Sequence, residues 1–242
     1  TARRRRRGPA TNVAVRGGDD DDVAALAVGS ATVVDEADDP AVVVAIGDEA
    51  IRSSVADSPE APLLPVTEDG GRHLVARDAL DAAIAAVVDG DRRVAAHPIL
   101  GLHHDGDAVA HALRDVTLVT DAPASISEYA VTVGDERLGS VRADGFVVAT
   151  PLGSDGYAAA AGGAVLEAGA GVAVVPIAPF STATETRVAD LDVPLTLTVE
   201  REGAVALVVD GVRRRVVDRG ADLRIDRVGS LDVMAPTRTE KF

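Results

Sequence analysis

The run Thr150-Pro151-Leu152-Gly153-Ser154-Asp155-Gly156-Tyr157, continuing through four alanines to Gly162-Gly163, restricts this chain more than any other stretch. It follows Phe146-Val147-Val148-Ala149, an apolar run that reads as a buried strand, and it opens a small-residue helix from about Tyr157. A strand that ends in a Gly/Ser/Asp turn and feeds a helix gathers backbone N–H groups and short polar side chains at one point. Such a point suits phosphate or ribose hydroxyls. The residues alone leave a second reading open: a plain strand–turn–helix joint with glycine for tight packing.

Upstream, strands and helices alternate. Asn12–Val15, Ala31–Val34, Ala41–Ile46 and Leu63–Val66 read as strands, the third apolar enough to be buried on both faces. Asp19 to Asp22 ahead of Val23–Val28 fit an N-cap and first helical turn at the positive end of the helix dipole, with Gly29 as the stop. Arg77–Val88 carries Leu80, Ala83, Ile84 and Val87 at helical spacing and ends at Gly90. From Arg92 the texture turns to β: Arg92–Leu102, Ala108–Thr120, Ile126–Val133, Leu138–Arg142, then Gly171–Pro176, Leu195–Glu200, Ala204–Val209, Arg213–Val217 and Ala221–Arg227. The expected architecture is α/β plus β. Residues 1–10 form a basic arm, 11–91 a small parallel α/β domain, and 92–242 a β-rich, antiparallel, sandwich-like domain.

Composition narrows the function. Aromatics make up 2% of the chain, so its cores are built of Val, Ala, Leu and Ile. The formal net charge is −15, with Lys241 the only lysine, as expected of a soluble protein in a high-salt cytoplasm. Nucleic acid is not an expected partner, because phosphate contacts need clustered cations. The one basic cluster, Arg3 to Arg7, lacks a following apolar segment and reads as a surface arm. No apolar run approaches the ~18–20 residues of a membrane helix, so no membrane association and a cytoplasmic location are expected. Without cysteine there is no disulfide, thiolate metal site or cysteine nucleophile. His97, His103, His104 and His111 crowd together but lack ligand spacing and read as loop histidines, so no metal site is assigned. Neither a P-loop, a Gly-x-Gly-x-x-Gly fingerprint nor a serine-hydrolase elbow occurs.

Asp144-Gly145, Thr150-Pro151-x-Gly153-Ser154-x-x-Tyr157 and Gly162-Gly163, taken together, resemble the signature of the ATP–NAD kinase family. That family reads Asp-Gly, Thr-Pro-Thr-Gly-Ser-Thr-Ala-Tyr, Ser-x-Gly-Gly. Ser127-Glu128 falls where the family has Asn-Glu, and Val209-Asp210-Gly211 where it has a late strand carrying Asp-Gly. Ile46-Gly47-Asp48-Glu49-Ala50 stands in the place of Gly-Gly-Asp-Gly-Thr. The resemblance implies a divergent, haloarchaeal-type member with an α/β domain beside a β-rich domain. It also implies transfer of the γ-phosphoryl of ATP, or of polyphosphate, to the 2′-hydroxyl of NAD, with Mg²⁺ bridging the phosphates. In that reading Asp48 is the catalytic base, Gly47 and Glu49 lie on the phosphate side, and Tyr157 offers an aromatic face to adenine. Ser127, Glu128, Asp144, Thr150, Gly153, Ser154 and Asp155 hold the substrate, and Asp210 is a further candidate. Family members assemble as homodimers or homotetramers, which is the expectation here.

Each residue has a plainer reading too. Asp48 fits the N-cap of a helix from Glu49, Ser127-Glu128 an ordinary strand start, Tyr157 a core or edge tyrosine, and Asp210 a hairpin turn. Glu49 and Asp155 add negative charge where the family has none, which works against a triphosphate or pyrophosphate. Two further functions therefore stand beside the kinase. One is a non-catalytic relative that binds a nucleotide or partner through the same cleft; the other is a kinase with a changed donor or acceptor. Gly17-Gly18-Asp19 spells a similar motif but falls too early in the chain.

Overall fold

The computed structural model describes residues 11–26, 31–57, 59–121, 126–181, 184–201 and 205–236; the Arg3–Arg7 arm and the Gly29 helix stop lie outside them. The chain folds as two compact units, one of residues up to Ala95 together with those from Leu231, the other Ala96–Ser230.

The first unit alternates β1 (Thr11–Gly17), α1 (Asp20–Leu26), β2 (Ala31–Val33), β3 (Val42–Ile46), α2 (Asp48–Asp57), β4 (Leu63–Thr67), β5 (Val75–Ala76) and α3 (Leu80–Asp89). The strands pair in parallel in the order β2-β1-β3-β4-β5. Every residue of β3 is buried, because successive side chains point to opposite faces and both faces are covered. Val42, Val44 and Ile46 join Leu26 of α1 and Leu80, Ile84 and Val87 of α3 in one cluster. The intervening Val43 and Ala45 are also buried, and α2 packs on β3.

Local signals explain the helix ends. The Asp19 carboxylate accepts the N–H of Asp21 and Asp22, and the Asp22 carboxylate accepts the N–H of Asp19, a reciprocal cap at the start of α1. Arg77 reaches both acids. Burial pushes the Asp22 carboxyl up, but the hydrogen bond from Arg77 and those from Asp19 more than offset it, and its pKa lies below the ordinary value. α3 opens on a 3₁₀ turn, Arg77–Ala79, and closes at Gly90, whose N–H donates to the carbonyls of Ala86 and Val87.

The second unit is a β-sandwich. Its strands are β6 (Arg92–His104), β7 (Asp107–Ala112), β8 (Asp115–Thr120), β9 (Ser127–Val133), β10 (Glu136–Ala143), β11 (Gly145–Ala149), β12 (Val172–Ile177), β13 (Arg187–Ala189), β14 (Leu195–Arg201), β15 (Val205–Val209), β16 (Val212–Val217) and β17 (Asp222–Pro236). One sheet runs β13-β12-β11-β8-β15-β16, antiparallel throughout. The other carries β10-β9-β14-β17, with the β6–β7 hairpin paired to β17. Between the sheets Leu118, Phe146, Val148 and Leu207 meet Tyr129, Val131, Leu197 and Leu223. Tyr129 and Phe146 meet edge to face, their centroids 5.5 Å apart.

Three sequence expectations change. The small-residue helix after Tyr157 is absent as a helix: a single π-type turn, Ser154–Ala158, is followed by helical backbone only to Ala160. Ala158 is the one alanine of the run fully buried, so there is no apolar stripe to offset the cost of a helix nucleus, and Gly156 departs from helical geometry. β13 has no counterpart in the sequence reading, being only three residues long. β17 runs past Arg227 to Pro236, and its end, with Met234 in the α/β core, belongs to the first unit, where Val233 pairs in parallel with Leu63. The chain passes between the units twice, after Ala95 and after Ser230.

Candidate functional site

In the sandwich unit the motif turn packs on the outer face of β11 and β12, where Ala158 and Leu166 cover Val147, Ala149, Ala173 and Val175. Its polar side chains are spent on its own shape. Thr150, fully buried, donates its hydroxyl to the Leu113 carbonyl at 2.6 Å and its N–H to the Arg114 carbonyl at 2.8 Å. Ser154, also fully buried, donates to the Pro151 carbonyl at 3.0 Å and accepts the Leu166 N–H at 2.9 Å. Gly153 sits so close to the neighbouring chain that a Cβ there would lie 2.4 Å from the Arg114 carbonyl oxygen. What the turn offers outward is its second half: Asp155 half-buried, Gly156, and Tyr157 at 45% exposure. Tyr157 is thus not a core tyrosine.

Ser127 opens β9 and is buried, opposite Ala143 of β10, while Glu128 lies opposite Arg142. Glu128 pairs with Nε of Arg201 at 3.1 Å across to β14. Asp144 occupies the joint between β10 and β11; its N–H donates to Ile177 and its carbonyl accepts from Thr120. Burial raises the Tyr129 phenol to about 12, the Asp144 carboxylate pushing the same way and the Ser127 hydroxyl against it. Tyr129 is therefore near enough to both Ser127 and Asp144 to feel each of them.

Asp210 is no ordinary turn residue. It is 2% exposed, and its carboxylate accepts the backbone N–H of Leu113, Arg114 and Asp115 at 2.9, 2.8 and 3.0 Å. Beside it the Asp115 carboxyl is raised to about 6 by burial and by the Asp210 charge, against the pull of Arg114.

In the α/β unit Gly47, at φ +88°, ends β3 and lends its carbonyl to the Ile51 N–H, the first bond of α2. Gly47 thus occupies the cap position and Asp48 is the first helical residue, which corrects the N-cap reading of Asp48. Asp48 and Glu49 are exposed on an open cavity of about 730 Å³ that Gly17 and Gly18 also line. The early Gly17-Gly18 pair is brought beside the later motif by the parallel register of Gly17 with Ile46. Arg16 is the only cation lining this cavity among the described residues, against Glu36, Asp48, Glu49 and Asp57. Arg16 grips Glu36 through two nitrogens, one contact at 2.6 Å, and lies 3.3 Å from Asp57. Its pKa is held up first by the Glu36 hydrogen bond. Glu49 reaches Arg52 at 2.6 Å on its own helix.

The four histidines have separate surroundings: His97 is buried, His103 lies near Asp226, His104 near Arg215, and His111 is exposed. Among the described residues no three His, Asp or Glu side chains are arranged to hold a metal ion. None of the described helices is long and apolar enough to cross a membrane.

A parallel α/β unit with a glycine turn at the end of its buried strand, and a β-sandwich bearing a strand-end Thr-Pro-x-Gly-Ser turn, define a two-unit α/β-plus-sandwich protein. Residues 113–229 match the family model of the ATP–NAD kinase C-terminal domain. The NAD kinase of Methanothermobacter thermautotrophicus is 33% identical over 132 residues, 54% of this chain and 46% of that one. The NAD kinase of Methanopyrus kandleri is 29% identical over 66% of this chain and 59% of its own. This chain thus spans about half the length of these relatives. In fold it is similar to yeast NADH kinase complexed with NADH, at TM-score 0.72 and 16% identity over 94% of this chain and 84% of that one. It is also similar to an NAD kinase from Archaeoglobus fulgidus in complex with ATP, at TM-score 0.64 and 21% identity over 93% and 92%. Over residues 113–229, a little under half of its length, the chain is thus similar to the C-terminal domain of the ATP–NAD kinases.

The sequence reading did not find the Leu113–Asp115 segment or Arg16. The first acts through backbone groups, which leave no mark in residue type, and the second is an isolated arginine in a strand.

Proposed function

We propose that this chain is an NAD kinase-like protein that binds NAD on the sandwich unit and, with a phosphate donor at the Gly47 cavity, forms NADP. The observation that carries it is the motif turn itself. It lies within the segment matched by the kinase C-terminal domain, is braced by Thr150, Gly153 and Ser154, and presents Tyr157 outward. Tyr157 stacks on adenine, and Glu128, Asp144 and Asp155 accept ribose hydroxyls, with Ser127 beside them. Asp48, exposed at the start of α2, is the base in this reading, and catalysis is positioning and charge compensation. The donor is ATP or polyphosphate. The cavity's excess of carboxylates suits a donor whose phosphates carry their own Mg²⁺, since among the described residues no three protein ligands converge there. That ion would neutralise the phosphate charge. The same reading includes a homodimer or homotetramer, carried over from the family resemblance, and a salt-rich cytoplasm, for which alone the net charge of −15 is the support.

A second reading has its own observation. Arg16 is already neutralised by Glu36 and Asp57, and Glu49 stands where a phosphate would approach, which favours a relative that binds the dinucleotide without transferring phosphate. Titration calorimetry in molar KCl with NAD, then with ATP and Mg²⁺, followed by an NADP assay on the same sample, separates them. Micromolar NAD affinity with NADP formed is the expected result, and Glu49→Gly with Ala50→Thr should raise turnover. Binding of NAD without turnover in either protein would establish the second reading, and binding of neither nucleotide would refute both.

A further inference from the structure

Asp210 lies in the turn between β15 and β16, in the left-handed region at φ +47°. An aspartate in such a turn ordinarily bonds its own neighbouring backbone. Here the carboxylate instead gathers three successive N–H groups nearly a hundred residues earlier, those of Leu113, Arg114 and Asp115, and its own N–H returns a bond to the Asp115 carbonyl at 2.9 Å. A buried carboxylate satisfied by three charge-assisted bonds is a rigid anchor.

Two carbonyls of this same segment, those of Leu113 and Arg114, face the motif. Leu113 accepts the Thr150 hydroxyl, Arg114 accepts the Thr150 N–H, and Gly153 rests on the Arg114 oxygen. Leu113–Asp115 is thus a hub whose amides are tied to Asp210 and whose Leu113 and Arg114 carbonyls are tied to the turn. We propose that Asp210 is a positioning residue for the nucleotide-binding turn, setting through this hub the shape of Thr150–Tyr157 and hence its affinity for the dinucleotide. The inference rests on the reading of that turn as the NAD site.

The test uses the full chain in molar KCl: wild type, Asp210→Asn, and Leu223→Ala as a sandwich-core control of general destabilisation. Asparagine keeps the size and tolerates the left-handed backbone, but it offers one acceptor oxygen where the carboxylate offers two. NAD affinity is measured by calorimetry below the melting range of all three, and amide exchange is followed at 113–115 and 150–157. Asp210→Asn should weaken NAD binding about tenfold and speed exchange across 150–157, with Leu223→Ala changing neither. Unchanged affinity and exchange in Asp210→Asn, or equal losses in the control, would overturn the proposal. If wild type itself binds no NAD, the functional reading fails, and the exchange at 150–157 alone decides the positioning role. If Asp210→Asn does not fold, Asp210→Glu takes its place with the same readouts. Failure of both to fold would assign Asp210 to the fold alone and likewise overturn the proposal.

Discussion

A half-buried carboxylate beside a fully buried one makes the protein's stability depend on pH in a definite direction. Burial first, and then the Asp210 charge, raise Asp115 from 3.8 to about 6. The folded state therefore holds this proton more tightly than the unfolded chain. The stabilisation is fully present below about pH 4 and is lost as pH rises through 6, the reverse of a salt-bridged aspartate. Asp115→Asn removes the penalty. At pH 7.5 it should be more stable than wild type by about 1–3 kcal/mol, with the difference shrinking by pH 4.5. Guanidinium unfolding at both pH values reads this directly, and a difference that does not change with pH would mean that Asp115 ionises as freely as in the unfolded chain.

Two glycines that hold the ends of β3 and β11 do so for different physical reasons, and substitution separates them. Gly47 is at φ +88° with open space where a Cβ would go, so Gly47→Ala costs only backbone strain, about 1–2 kcal/mol. At Gly153 the added carbon would meet a backbone carbonyl oxygen that is itself held in the hub, so Gly153→Ala should cost more, about 2–3 kcal/mol. Thermal melts should show Gly153→Ala melting below Gly47→Ala; the opposite order would mean that the turn yields easily. The contrast extends to what each element could be read to be. β3 was legible because six consecutive apolar residues, Ala41–Ile46, bounded by Asp-Pro and Gly-Asp admit little but a doubly covered strand. The helix after Tyr157 was not, because alanine has high helix propensity and the decision lay with packing: one buried alanine against a glycine kink.

For the whole molecule, the last strand decides how the chain divides. Met234, 2% exposed, packs in the α/β core with Leu64, Val66 and Ile84, although it lies far along the chain, beyond the sandwich strands. Met234→Ala should destabilise the α/β unit by about 2–4 kcal/mol, so amide exchange should quicken in β3 and β4 while β11 and β12 keep their protection. Equal acceleration in both would make the chain one cooperative body. The strand–helix alternation, the antiparallel β region and the motif turn were written in local apolar periods and in Gly, Pro and Asp at turns, which act within a few residues and can be read one after another. Where β17 ends, how Gly17-Gly18 comes beside Gly47, and why Asp210 governs Thr150 were decided only by tertiary structure. Parallel register, a returning strand and a carboxylate reaching distant backbone amides are long-range pairings, and backbone N–H groups look the same in every residue until the fold brings them to a partner.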